Sequence, residues 1–120
     1  MEGQKFNGDK LPMDIVICKQ FPDALKAIAQ CTEYGHQKYI ETDEDYQNFR
    51  KVPGGSQTYA DALLRHSMEP GNDPESGLPH KYHKAWNALA ELELWLVEEW
   101  ANNALAEVKA KKKEDFTYGL

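Results

Sequence analysis

Cysteine is scarce: Cys18 and Cys31 are the only two, they form no CxxC pair, and a disulfide-built scaffold of this length would carry more. A reducing compartment suits them. Long apolar runs are missing too. The longest, near Met13–Cys18 and Leu92–Val97, are too brief or too charged to span a bilayer, and the N-terminus lacks the basic-plus-apolar pattern of an export signal. The expectation is a soluble, cytoplasmic protein with no membrane partner. Positive charge is in deficit, with 14 Lys and Arg against 20 Asp and Glu and a net charge of -6. That excludes a general nucleic-acid binder, whose affinity rests on clustered cations, but leaves room for a small basic pocket. Strand propensity is confined to Ile15-Val16-Ile17, which has no second strand to pair with, so Met13–Phe21 is expected to be an extended lead-in packed on helices.

What is present is helical. The 120 residues suffice for one domain with a modest core. The arm 1–11 is polar and glycine-containing, residues 12–108 form the domain, and 109–120 a basic turn and tail. A first helix starts at Pro22-Asp23, with proline and an acid in its first turn, and runs to Tyr39. Gly35 inside it suggests close approach of a backbone or a ligand. Residues 40–57 read as an acidic loop with a short helical piece at Glu44–Phe49 and a turn at Pro53-Gly54-Gly55. A second helix covers Gln57–Ser67 and stops before Pro70-Gly71. The third begins at Pro79 and reaches Val108, so that Lys109–Lys113 complement its dipole. The fold class is all-α, a small helical bundle with a long third helix. Trp86, Trp95 and Trp100 fall on more than one face of that helix, which predicts burial of the second face in a homo-oligomer.

Chemistry concentrates where the third helix starts. His80, His83, Asn87 and Glu91 follow at steps of three, four and four, so they share one stripe, and residues at such spacing lie close enough for two imidazoles to reach one ligand. The same spacing also suits a helix cap at His80 and hydrogen bonds from His83 and Asn87 to a neighbouring helix. The connection between helices two and three carries Glu69, Asp73 and Glu75, and as a hairpin it brings Arg65-His66 towards His80 and His83.

Four motifs extend the pattern: Leu11-Pro12-Met13-Asp14-Ile15; Ala24-Leu25 to Tyr34-Gly35-His36-Gln37-Lys38-Tyr39; Tyr59-Ala60-Asp61-Ala62-Leu63-Leu64-Arg65-His66; and Asp73 to Ala90, with His80, His83 and Trp86-Asn87. In this order the chain resembles the small phage and prophage proteins named for the N-terminal domain of dATP/dGTP diphosphohydrolase, loosely MazG-like, over about residues 11–94. The resemblance implies an all-α, metal-dependent hydrolase that converts a purine deoxynucleoside triphosphate, dATP or dGTP, to monophosphate and pyrophosphate in the host cytoplasm. The paired carboxylates of the MazG pattern, ExxE then ExxD, are not reproduced: Glu41-Thr42-Asp43-Glu44 lies in the loop, and the third helix has no ExxD.

Within that expectation His83 and Glu91 are candidate bases, and Lys38, Arg65 and Asn87 candidate substrate-binding residues. His66, Asp73, Glu75 and His80 are candidate metal ligands. Magnesium favours the carboxylates, with Glu91 a further candidate, whereas direct imidazole ligation favours zinc or manganese. Each residue also has a plainer role: Arg65 pairing with Asp61, Lys38 in solvent, Glu91 on an exposed face. Two alternatives use the same residues or surface: a non-catalytic protein that sequesters a nucleotide, and a host-protein interaction module with an acidic face.

Overall fold

The computed structural model describes residues 10–118 and contains no β-strand among them. Helix α1 spans Pro22–Lys38, α2 Ser56–Met68 and α3 His80–Tyr118. Single turns of 3₁₀ helix at Glu44–Tyr46 and Asn48–Lys51 punctuate the acidic connection, and a π-helical turn, Asp14–Cys18, precedes α1. Most of the expected arm, residues 1–9, lies outside the described residues, as do positions 119 and 120 of the tail.

Two expectations are corrected. Met13–Phe21 is not extended: the Pro12 carbonyl accepts the N–H groups of both Ile15 and Val16 at 3.0 Å, so a segment with no strand to pair with satisfies its backbone locally. Most of its apolar side chains stay in solvent, with Met13, Ile15, Val16 and Phe21 exposed and Ile17 half-buried. The long helix continues past Val108 to Tyr118. Lysine, alanine and glutamate there are good helix formers, and Glu107 with Lys111 is a favourable i, i+4 pair, so the basic run continues the helix.

The core is thin and lies between α2 and α3. Tyr59, Ala90 and Leu94 are buried together, with Phe49, Val52 and Trp86 packed around them. The two helices run antiparallel, because His66 near the end of α2 meets His80 at the start of α3, while Ser56 at the start of α2 meets Glu98. At that second crossing the Ser56 N–H and hydroxyl donate to the two Glu98 oxygens at 3.0 and 2.8 Å, so a carboxylate from α3 caps the positive end of α2. Gly55 permits the approach. Its φ is +56°, and a Cβ there would stand 2.5 Å from the Glu98 carboxylate.

With 39 residues, α3 is about 58 Å long at ~1.5 Å per residue, and its second half outruns its partners. The radius of gyration is 20.1 Å, against about 14 Å for a compact domain of this length. Leu92, Trp95 and Trp100 are exposed on the side of α3 away from Ala90 and Leu94, so the helix is apolar on opposite faces and, among the described residues, buries only one.

Leu94, at 7% exposure, is the deepest leucine among the described residues. Leu94→Ala is expected to destabilise the chain by about 2–3 kcal/mol in urea unfolding, the low end for leucine because the thin core can collapse onto the gap. A loss under about 1 kcal/mol would place the core elsewhere.

Candidate functional site

A cleft of about 630 Å³ opens between α1, the acidic connection, α2 and α3, within the usual range for a small-molecule site. Aromatic rings form one wall. Trp86 meets Tyr59 at 5.6 Å between centroids and Phe49 at 5.9 Å, both edge-on. The Trp86 indole N–H donates to Thr32 Oγ at 3.0 Å, and Thr32 donates its own hydroxyl to the Ile28 carbonyl, which ties α3 to α1.

Gly35 lines the cleft, and a Cβ there would meet nothing within 4 Å. The expected close approach of a backbone is therefore absent; what lies beside Gly35 is open cleft. Lys38, Arg65, His83 and Asn87 also line it. Lys38 forms an ion pair with Glu75, so the Glu75 carboxylate is held below its ordinary range first by Lys38 and then by the Tyr34 hydroxyl. Asp61 accepts from Gln57 at 3.0 Å, and the ion pair expected between Asp61 and Arg65 is not formed. Asn87 is buried and donates its side-chain N–H to the His83 carbonyl one turn earlier.

Three of the four expected metal ligands converge. His66, Asp73 and His80 each offer a ligand atom, all within 4.8 Å of one another. His66 and His80 share a 2.8 Å hydrogen bond between their Nδ1 atoms, and His83 stacks on His66 with centroids 4.9 Å apart. Glu75 is drawn away to Lys38. Burial would raise the Asp73 carboxyl, but the N–H groups of Ser76 and Glu75 outweigh it and hold the carboxyl below its ordinary range. Burial, with the neighbouring imidazoles second, lowers the His66 pKa, and burial dominates a lowered His83 as well. Both therefore favour the neutral ring. Ser76 Oγ and His83 Nε2 lie 2.6 Å apart. Glu91 is half-buried and stands outside the cleft lining, where Glu93 appears instead.

The sequence of the family described as dATP/dGTP diphosphohydrolase, N-terminal, matches residues 1–104 of this chain. The chain belongs to that family. Among curated proteins and solved structures, nothing matches it. The family supports a relationship to nucleotide hydrolases, and no helix among the described residues is long and apolar enough to cross a membrane.

Sequence reasoning missed the acidic connection as a wall of the site. Asp43 is buried there, accepting the Asn48 N–H at 2.7 Å and lying 3.1 Å from His36 Nδ1. Tyr46 stacks on His36 at 4.2 Å, with Asp45 and Tyr46 at φ of +50° and +63°. Two consecutive non-glycine residues in that region have no signature in a run of acids.

The lowered His66 and His83 pKa values fix a sign. Between the folded values and the ordinary 6.5 the unfolded chain binds more protons, so stability rises with pH there and is lost as pH falls. Without added metal, Tm is expected to drop between about pH 7.5 and about pH 5.5. The double variant His66→Gln/His83→Gln should flatten that slope; an unchanged slope would refute the assignment.

Proposed function

We propose that this protein is a nucleotide pyrophosphohydrolase that converts a purine deoxynucleoside triphosphate, dATP or dGTP, to its monophosphate and pyrophosphate. The observation that carries the reading is the cleft itself. It sets aromatic surface from Phe49, Tyr59 and Trp86 beside two cations, Lys38 and Arg65, in a chain of this family. Aromatic rings suit a nucleobase, and the cations suit phosphate oxygens.

In this reading Lys38 and Arg65 neutralise the triphosphate, and Asn87 hydrogen-bonds the substrate. His83, held through Nε2 by Ser76, uses its other ring nitrogen to take a proton from water. The water oxygen bonds to the α-phosphorus, the bond from that phosphorus to the α–β bridging oxygen breaks, and pyrophosphate leaves with the electron pair. His83 is preferred to Glu91 as base because it lines the cleft. Magnesium would be held by one or two carboxylates along with phosphates and water; Asp61 and Glu93 line the cleft, Glu93 pairing with Arg50 at 3.5 Å. Such an ion would supply charge neutralisation on the phosphates.

We further propose a cytoplasmic homo-oligomer in which a second copy covers Leu92, Trp95 and Trp100. Light scattering should then give at least twice the chain mass, and Leu92→Ser/Trp95→Ser should shift it to that of a monomer.

Turnover is the direct test of the enzyme. Incubation with each deoxynucleoside triphosphate and Mg²⁺ or Mn²⁺ should yield monophosphate and pyrophosphate, fastest with purines. Arg65→Ala should lower kcat/KM by roughly 10²–10³-fold, the usual loss for a donor to developing charge. Nucleotide binding with no pyrophosphate released would leave a sequestering protein and end the hydrolase reading.

A further inference from the structure

We propose that His66, Asp73 and His80 form a transition-metal clasp, distinct from the catalytic cleft, that fastens α2, the 69–79 connection and α3 to one another. The three residues come from three segments: the last turn of α2, the connection, and the first turn of α3. Their ligand atoms lie within 4.8 Å of one another. A tetrahedral ion with bonds of ~2.1 Å needs ligand atoms about 3.4 Å apart. The 2.8 Å between His66 Nδ1 and His80 Nδ1 shows that these two rings already point at one place.

The connection presents Asp73 on a fixed backbone. The Asp73 N–H donates to the Leu78 carbonyl and the Gly77 N–H to the Asp73 carbonyl, both at 2.8 Å, and the His80 N–H donates to the Gly71 carbonyl at 2.9 Å. One carboxylate oxygen, Oδ1, accepts from Glu75 and Ser76, which leaves Oδ2 for a ligand. His83 forms an outer support, stacked on His66 and bonded to Ser76.

Donor chemistry selects the ion. Two imidazole nitrogens and one carboxylate oxygen suit Zn²⁺, Co²⁺ or Fe²⁺ with water completing the shell, whereas Mg²⁺ demands oxygen ligands. Placement selects the role. None of the three ligands lines the cleft, whereas His83, which stacks on His66, does. The ion would hold the α2–α3 hairpin closed and set the position of His83 from behind. It would not touch the substrate. The clasp does not depend on the hydrolase reading, and its test uses no nucleotide.

The full chain, stripped with chelator, is titrated with Co²⁺ and followed by visible absorption and thermal melting. The expected result is one equivalent bound, with ligand-field bands of a nitrogen- and oxygen-ligated ion, and a Tm raised by roughly 10 °C at a hundredfold excess over Kd. Zn²⁺ should displace the Co²⁺, and millimolar Mg²⁺ should not. His66→Gln and His80→Gln should each weaken binding by at least about 100-fold, while Lys84→Ala, on the exposed face, leaves it unchanged. Asp73→Asn, whose side-chain oxygen still accepts the loop hydrogen bonds, separates lost ligation from lost folding: far-ultraviolet circular dichroism stays native while Co²⁺ affinity falls. Absence of the bands, bands that persist in His66→Gln, or displacement by Mg²⁺ would each overturn the clasp.

Discussion

Trp86 is the residue on which the rest of the structure depends. Its ring meets Tyr59 of α2 and Phe49 of the acidic connection edge-on, and its N–H reaches Thr32 of α1. Four segments therefore meet at one side chain. The polar end matters as much as the apolar one, since a buried indole N–H without a partner carries a desolvation cost of about 1–3 kcal/mol. Thr32 can accept it because its own hydroxyl proton is directed to the Ile28 carbonyl. The aromatic wall of the cleft and the packing of α1 against α3 thus share one cause.

A second centre lies at the open end of the α2–α3 hairpin. There Asp73 orders the turn by accepting two backbone N–H groups, and three imidazoles gather on it. At His66 and His83 the neutral ring is favoured, because burial first and the neighbouring imidazoles second oppose charging. Neutral imidazoles are what metal ligation and proton acceptance require. The same crowding underlies the acid sensitivity expected of the hairpin and the metal ligation proposed for it. Lys38 connects the two centres, since it lines the cleft and also pairs with Glu75 in the turn.

Much of this was legible in the chain. Proline at the start of α1, Pro70-Gly71 after α2 and the three-four spacing of His80, His83 and Asn87 marked the helices and placed the histidines on one side of α3. The hairpin that joins His66 to them followed from the short, turn-rich connection. Less legible were the details that depend on distant partners. Asp43 reads as one of several acids in a loop, yet the Asn48 N–H and the His36 ring make it a buried anchor. Gly35 reads as a close approach of a backbone or a ligand, and with no protein atom within 4 Å of a Cβ there, only the ligand alternative is left open by the cleft beside it. Ile15-Val16-Ile17 reads as extended, but with no strand to receive its backbone it closes a helical turn.

The sequence by itself determined the helices, their order, the family and the clustering of histidines, because periodicity, turn residues and local spacing act over a few positions. Tertiary structure alone decided that Glu75 belongs to Lys38 while His66, Asp73 and His80 converge, that Glu93 lines the cleft while Glu91 does not, and that His83 both lines the cleft and stacks on His66. The reason is rotational. A shift of one or two positions turns a helical side chain through about 100–200°, and which face meets the cleft is fixed only by how α3 is packed against α1 and α2.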